Sequence, residues 1–390
     1  MEAKDRAGRE DPVGGAAGED RGQDRTGGNR AAAIAGSAVR SLVALPPSPA
    51  PRFWIAVRAA LSIGLPFGLL TLLGHEDIGL QTAAGAFVAL FFAGAGAAER
   101  AKALPLVGAG LLACAGLGAA FSPWPWLLAV GLVGVAVGAS ALSFAFRVGP
   151  PGPVFFVLSY GLSANVTGVV DGERITDPWV FLAAVTAGSL CSYLLALTPL
   201  LRRAERARPA RRLRELLPGP WVGVGERELI LRIAIVAVAG ALVSALLLDP
   251  HRAYWTVSAG VAVVGLTPSR GVALTRGLHR TVGTLLGAVL AVALSPLSTI
   301  PLALVVLLVL LQFAIEFVVV RNYALALIFI TPLVLLITAA ATGAVDVVGA
   351  AWERVLDTAV GSALAILTGI LHRPASAQPD RSAASPTVSQ

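Results

Sequence analysis

The sequence predicts an all-α, polytopic helical membrane protein of about twelve transmembrane helices, arranged as two parallel six-helix repeats. Three observations carry that expectation. From Phe53 to Leu371 the chain is mostly a series of nearly uncharged apolar segments. Stretches such as 103–121 and 300–319 have no continuous polar face, and a bilayer core about 30 Å thick takes about 20 apolar residues to cross. Basic residues alternate between loops as a fixed membrane orientation requires. Rare residues recur at a near-constant offset between the two halves. Composition agrees: 56% of residues are hydrophobic and 14% charged, with a mean hydropathy of +0.77, whereas a soluble domain carries about 25% charged residues.

In chain order, residues 1–50 are polar and mixed in charge without a sustained apolar core. They predict a disordered cytoplasmic tail and no cleavable signal peptide. The first repeat occupies 51–200, with spans expected at 53–73, 79–98, 103–121, 124–144, 151–170 and 178–200. The linker 201–228 holds eight arginines and four glutamates. Its stretch 202–217 reads either as a helix on an anionic leaflet or as a solvated connector. The second repeat, 229–371, has spans expected at 229–248, 252–267, 281–297, 300–319, 322–342 and 349–371. Span eight is short: its apolar run goes only from Tyr254 to Leu266 before Thr267-Pro268 stops it. It is expected to be tilted, half-buried or broken. Residues 372–390 read as a second disordered cytoplasmic tail.

With the N-terminus inside, the inner loops hold Arg100, Lys102, Arg147, the linker arginines, Arg270, Arg276, Arg280 and Arg321, and the outer loops hold only Arg174 and Arg252. The outer loops are otherwise acidic, with Glu76, Asp77, Asp171, Glu173, Asp177, Asp249 and Asp346. This is the positive-inside pattern, and it places both termini in the cytoplasm. The lysine-poor, Ala-, Gly- and Arg-rich usage fits a high-GC bacterial genome, and hence the inner (plasma) membrane. Arg58 aligns with Arg232, Arg147 with Arg321, Trp179 with Trp352, Ala84-Gly85 with Ala259-Gly260 and Gly188-Ser189 with Gly361-Ser362. An even number of spans per repeat makes the repeats parallel about an axis along the membrane normal.

Residues 251–294 contain the most specific stretch, HRAYWTVSAGVAVVGLTPSRGVALTRGLHRTVGTLLGAVLAVAL. Tyr-Trp at a span start, a Pro-Ser-Arg stop, spaced arginines and then Arg-Thr-Val-Gly-Thr-Leu-Leu-Gly resemble the fusaric acid resistance protein-like (FUSC) family of the aromatic acid exporters. The equivalent loop of the first half, AGAGAAERAKALPLVGAG, lacks Gly-Thr-Leu-Leu-Gly. The resemblance implies membrane export of small organic anions, often aromatic carboxylates, or anion conduction. Many relatives carry a sizeable soluble cytoplasmic domain, for which only the linker and tail could stand in here.

Arg58 and Arg232 sit about one turn into the first span of each repeat, where an arginine must be paired, reach a headgroup or face a cavity. They read either as carboxylate-binding guanidiniums or as snorkelling residues. Arg270, Arg276 and Arg280 precede span nine and could form a cationic vestibule, or serve orientation alone. Tyr254 and Trp255 open span eight as an interfacial belt or as an aromatic wall for a planar substrate. Gly283 and Gly287, four apart, allow close helix approach. Glu316 is the one acidic residue deep in an apolar span; it reads as a proton-coupling group or as a structural ion-pair partner. Glu353, Arg354 and Asp357 read as an ion-pair network at the outer end of the last span.

No phosphate-binding loop is present, and four histidines and two cysteines, Cys114 and Cys191, lie dispersed. No enzyme activity, cofactor, metal site or disulfide is expected. The expected partners are the lipid bilayer and a small organic anion, without nucleic acid; a homo-oligomer is left open. The expected function is an exporter of small organic anions, aromatic carboxylic acids or related toxic compounds, with Glu316 as the candidate for proton coupling. A passive anion channel and a non-transporting membrane scaffold are the other readings.

Overall fold

The computed structural model describes residues 36–47, 52–266, 269–342 and 346–371. Twelve helical segments are numbered here in chain order. In the first half these are α1 (Phe53–Leu72), α2 (Glu76–Thr82, continued by the 3-10 turn Ala83–Leu90), α3 (Ala97–Phe121), α4 (Pro125–Ala145), α5 (Val154–Val166) and α6 (Pro178–Leu197). In the second half they are α7 (Val224–Leu247), α8 (Ala253–Val264), α9 (Arg270–Leu294), α10 (Pro301–Val318), α11 (Tyr323–Thr342) and α12 (Val347–Thr368). Among the described residues, eight helices are long and apolar enough to cross a membrane: α1, α3, α4, α6, α7, α9, α10 and α11. The protein is a multi-pass helical membrane protein.

The other four expected spans are helical but depart from a simple crossing, each for a physical reason. Span two is a seven-residue α-helix that tightens into an eight-residue 3-10 turn. There Gly85 presses against the α6 backbone at Val185 and Ser189, where a Cβ has no room. Span five is only 13 residues long, because the chain turns into a hairpin pairing Val169 with Arg174 and Val170 with Glu173. Asp171 and Gly172, both at positive φ (53° and 86°), make the kind of turn that joins such strands. Span eight is 12 residues long and ends at Gly265, φ 66°, a left-handed residue that stops a helix; the Thr267-Pro268 stop lies outside the described residues. Span twelve has the length but carries Glu353, Arg354 and Asp357.

The two halves pack by one scheme. In each half the second segment lies on the sixth helix (α2 with its 3-10 turn on α6, α8 on α12) and the third on the fifth (α3 on α5, α9 on α11). Between the halves, α1 packs on α10 and α7 on α4. Two main apolar cores result. One joins Leu132, Val157 and Tyr160 of the first half to Ile233, Val236 and Val257 of the second. The other joins Ile63, Phe67 and Leu80 of the first half to Leu308, Leu311 and Leu336 of the second. Outward faces are apolar too, with Leu69, Val130, Leu247 and Leu310 exposed. In water so much exposed apolar surface would drive association, whereas lipid accepts it.

The linker does not form one helix over 202–217. It makes two single turns, Arg203–Arg206 and Leu213–Leu216, with Pro209 between them, a residue that disfavours helix at the position before it. It is pinned to α3: Arg211 donates to Glu99 Oε1 at 2.7 Å and Oε2 at 3.2 Å, and Lys102 Nζ donates to the Arg211 carbonyl at 2.8 Å. The hydrogen-bonded Glu99 carboxylate holds the Arg211 guanidinium above its ordinary value. Part of the expected N-terminal tail is ordered. Residues 36–43 are helical, Ser41 Oγ hydrogen-bonds His279 Nε2 at 2.7 Å, and Asn322 Nδ2 donates to the Leu42 carbonyl at 2.8 Å. The imidazole of His279 on α9 and the amide of Asn322, just before α11, thus capture a segment whose own composition predicts no fold. Residues 1–35 and the tail 372–390 lie outside the described residues.

Candidate functional site

The second half holds a buried polar centre between α8, α9, α11 and α12. Its anchor is Arg354, 5% exposed, whose guanidinium lies 3.8 Å from the centroid of the Trp255 ring. Arg280, 6% exposed, donates from Nη1 to Tyr323 Oη at 2.7 Å. Arg280, Asp357, Tyr254 and Tyr323 all lie within electrostatic reach of Arg354. Tyr254 and Trp255 are themselves buried, with ring centroids 4.7 Å apart. Asp357, 1% exposed, accepts from Thr256 Oγ1 at 3.3 Å and lies 4.0 Å from Arg252 Nη1. Arg252 in turn pairs with Glu353 at 2.5 Å.

Depth follows from helix rise. α9 starts at the end of the bundle that carries the linker, and α12 starts at the opposite end. Arg280 lies about 15 Å along α9, and Arg354 lies about 10 Å along α12, at 1.5 Å per residue. Both therefore lie two to three helical turns inside the bundle, counted from its opposite ends. Several polar atoms there have no hydrogen-bond partner among the described residues: Arg354 Nε and Nη1, Arg280 Nε, Tyr254 Oη and Asp357 Oδ2. Buried donors are almost always satisfied, so this cluster is the first candidate for a binding site. The corresponding first-half positions on α6 hold Phe181 and Ala184, so the polar centre belongs to one half only.

The residues singled out in the sequence fall into separate places. Tyr254, Trp255 and Arg280 come together in this centre. Arg276 packs its guanidinium against Gly265, at the end of α8. Arg58 does not share a cavity with Arg232. It faces Arg100 and Ser192 within the first half, while Arg232 is fully buried. Arg232 does not snorkel: Nε donates to Thr368 Oγ1 at 3.3 Å and Nη2 to the Ala365 carbonyl at 3.5 Å, with Glu228 at 3.8 Å. Arg270 lies beside it, near Gly369. Glu316 pairs with Arg52, not with Arg321: Arg52 Nη2 meets Oε2 and Arg52 Nε meets the Glu316 carbonyl, both at 2.8 Å. Arg321 instead stacks 5.3 Å from the Phe317 ring.

Arg354, Asp357 and Tyr323 are the members that sequence reasoning left out of the site. One signal pointed to them: Asp357 lies two helical turns inside the expected last span, too deep for an interfacial ion pair. A groove of about 420 Å³ between α1 and α6 is lined by Leu65, Leu190, Cys191 and Leu194 with Thr198 as its polar member, and offers no comparable chemistry.

Residues 233–368 match the sequence profile of the family described as fusaric acid resistance protein-like. The matched stretch contains Tyr254, Trp255, Arg280, Tyr323, Arg354 and Asp357, so the whole buried centre lies within it. Over 113 residues the chain is 34% identical to the Bacillus subtilis (strain 168) protein named "Uncharacterized membrane protein YvaC". The match takes in 28% of this chain and spans 18% of that relative's length. No solved structure matches the chain. The match is consistent with a transport or efflux role.

Proposed function

We propose that the protein exports small organic anions, with aromatic carboxylates as the substrate class. The observation that carries this reading is the burial of Arg280 and Arg354, both with unpartnered N–H groups, beside the Tyr254 and Trp255 rings inside the bundle. Guanidiniums match a carboxylate's two oxygens, and aromatic faces match a planar ring. A site at this depth suits alternating access, in which packed helices part first toward one side and then the other. The short α8 is the element suited to move, since no long helix has to shift with it. Arg58, Arg270 and Arg276 act on this reading as an electropositive approach from the linker side, which is the cytoplasmic side. Arg232 supports the α7–α12 contact.

Proton coupling falls to Asp357 rather than to Glu316. Asp357 Oδ2 has no hydrogen-bond partner and lies within the arginine centre, whereas Glu316 is occupied by Arg52. The test is uptake of a labelled benzoate-class acid into inverted membrane vesicles with and without a pH gradient. Arg354→Gln and Arg280→Gln are expected to lower transport at least tenfold, because a hydrogen bond to a charged group contributes about 1.5–3 kcal/mol. Asp357→Asn is expected to remove the response to the gradient, and Glu316→Gln to keep it. Unchanged uptake in both arginine variants, at equal membrane content, refutes the site. Currents that need no gradient in planar bilayers would favour a passive anion channel.

A further inference from the structure

A second arginine pair lies in the first half, away from the polar centre. α1, the 3-10 turn, α3 and α6 enclose a cavity of about 10 Å³ that Arg58, Ser62, Arg100 and Ser192 line together. Arg100 is 6% exposed and its Nε has no hydrogen-bond partner; Ser192 is fully buried and its Oγ has none either. Ser62 is engaged with the Arg58 carbonyl at 2.8 Å. Among the described residues no carboxylate lies within ion-pair distance of Arg58 or Arg100. Glu205 on the linker acts on both from further away, and its carboxylate is held by Arg208 at 2.9 Å.

The second half shows what the same place looks like when the protein serves its own arginine. Arg232, the counterpart of Arg58, is met by Thr368 Oγ1, the Ala365 carbonyl and Glu228. Position 365 corresponds to Ser192, whose unpartnered hydroxyl faces the first-half cavity. That cavity therefore presents two cations and a hydroxyl donor. Two guanidiniums held close together at low dielectric are costly without a neutralising charge, and a water molecule brings none. A volume of this size holds about one water-sized body, which excludes a benzoate ring.

We propose that Arg58, Arg100 and Ser192 form a binding site for a monatomic inorganic anion of chloride size. The ion neutralises the pair and ties α1, α3 and α6 together, independently of what the second half transports. The test uses the full-length protein in detergent, melted in sodium chloride, sodium bromide or sodium gluconate at constant ionic strength. Chloride and bromide are expected to raise the melting temperature saturably, as a ligand of the folded state does, and gluconate is not. Ser192→Ala, which keeps both charges, is expected to raise the half-saturating chloride concentration about tenfold, and Arg100→Gln to abolish the effect. Identical melting in all three salts, or a chloride response unchanged in both variants, overturns the proposal. Where Arg100→Gln does not fold, crystals of the unmodified protein soaked in bromide decide the matter. An anomalous peak between Arg58 and Arg100 supports the site, and a cavity without one at saturating bromide refutes it.

Discussion

Gly283→Ala tests the packing logic of the second half most directly. A Cβ at position 283 would stand 2.5 Å from the Ala324 carbonyl oxygen and 2.7 Å from Leu327 Cβ, where ordinary contact begins at 3.4 Å. Neither neighbour is the free end of a flexible side chain, so relief requires α9 and α11 to separate by about an ångström, an overpacking that costs roughly 1–3 kcal/mol. The helix itself gains about 0.5–1 kcal/mol when glycine becomes alanine, so the clash dominates. At about 2–4 °C per kcal/mol for domains of a few hundred residues, the melting temperature should fall by several degrees. Gly138→Ala in α4 is the control. It meets nothing within 4 Å, so the helix gain stands alone and stability should hold or rise. Both are read by the fluorescence of a thiol-reactive dye, as Cys114 and Cys191, half-buried in the native fold, become exposed on heating. Equal melting of Gly283→Ala and wild type, or an equal loss in Gly138→Ala, refutes the argument.

Three further outcomes follow from the charges. Arg52→Gln leaves Glu316, 7% exposed, without its cation and should cost about 3–5 kcal/mol; a double-mutant cycle should show that adding Glu316→Gln recovers much of this loss. Glu99→Gln releases the linker at Arg211, whose side chain is 58% exposed, so the melting temperature should change little while trypsin cuts the linker faster in inverted vesicles. Leu213→Cys should react with a membrane-impermeant maleimide only when the cytoplasmic face is accessible, and labelling from outside intact cells would overturn the orientation.

Much of this architecture was legible in the sequence because lipid imposes a simple rule: a crossing helix has to be long and apolar. The segments that resisted were those where tertiary contact overrides hydropathy. Residues 79–98 read as one span, yet Gly85 lies so close to the α6 backbone that the segment tightens into a 3-10 turn and stops short. The repeat offset seen at Ala84-Gly85, Ala259-Gly260, Gly188-Ser189 and Gly361-Ser362 has a physical origin, since these are the points where the second and sixth segments of each half touch backbone to backbone. At the polar centre, Tyr254, Trp255 and Arg280 were visible as rare residues, and Arg354 and Asp357 were visible too but assigned to an interface. What sequence spacing lacked was depth: only the opposed directions of α9 and α12 bring Arg280 and Arg354 to one level. The pairing of Glu316 with Arg52 was hidden for a different reason, since 264 positions separate the two residues.

The exchange of first helices between halves bears on how the chain is assembled in the cell. α1 finds its main partner in α10, and α7 packs on α4 as extensively as on its own neighbour α8. A nascent first half therefore enters the bilayer with a vacant seam, which closes only after the ribosome has delivered most of the second. Truncation anywhere before α10 should leave an inserted but unfinished bundle, a substrate for membrane quality-control proteases. A second half made alone would face lipid with two unfilled sides, and its nearest remedy would be another copy of itself.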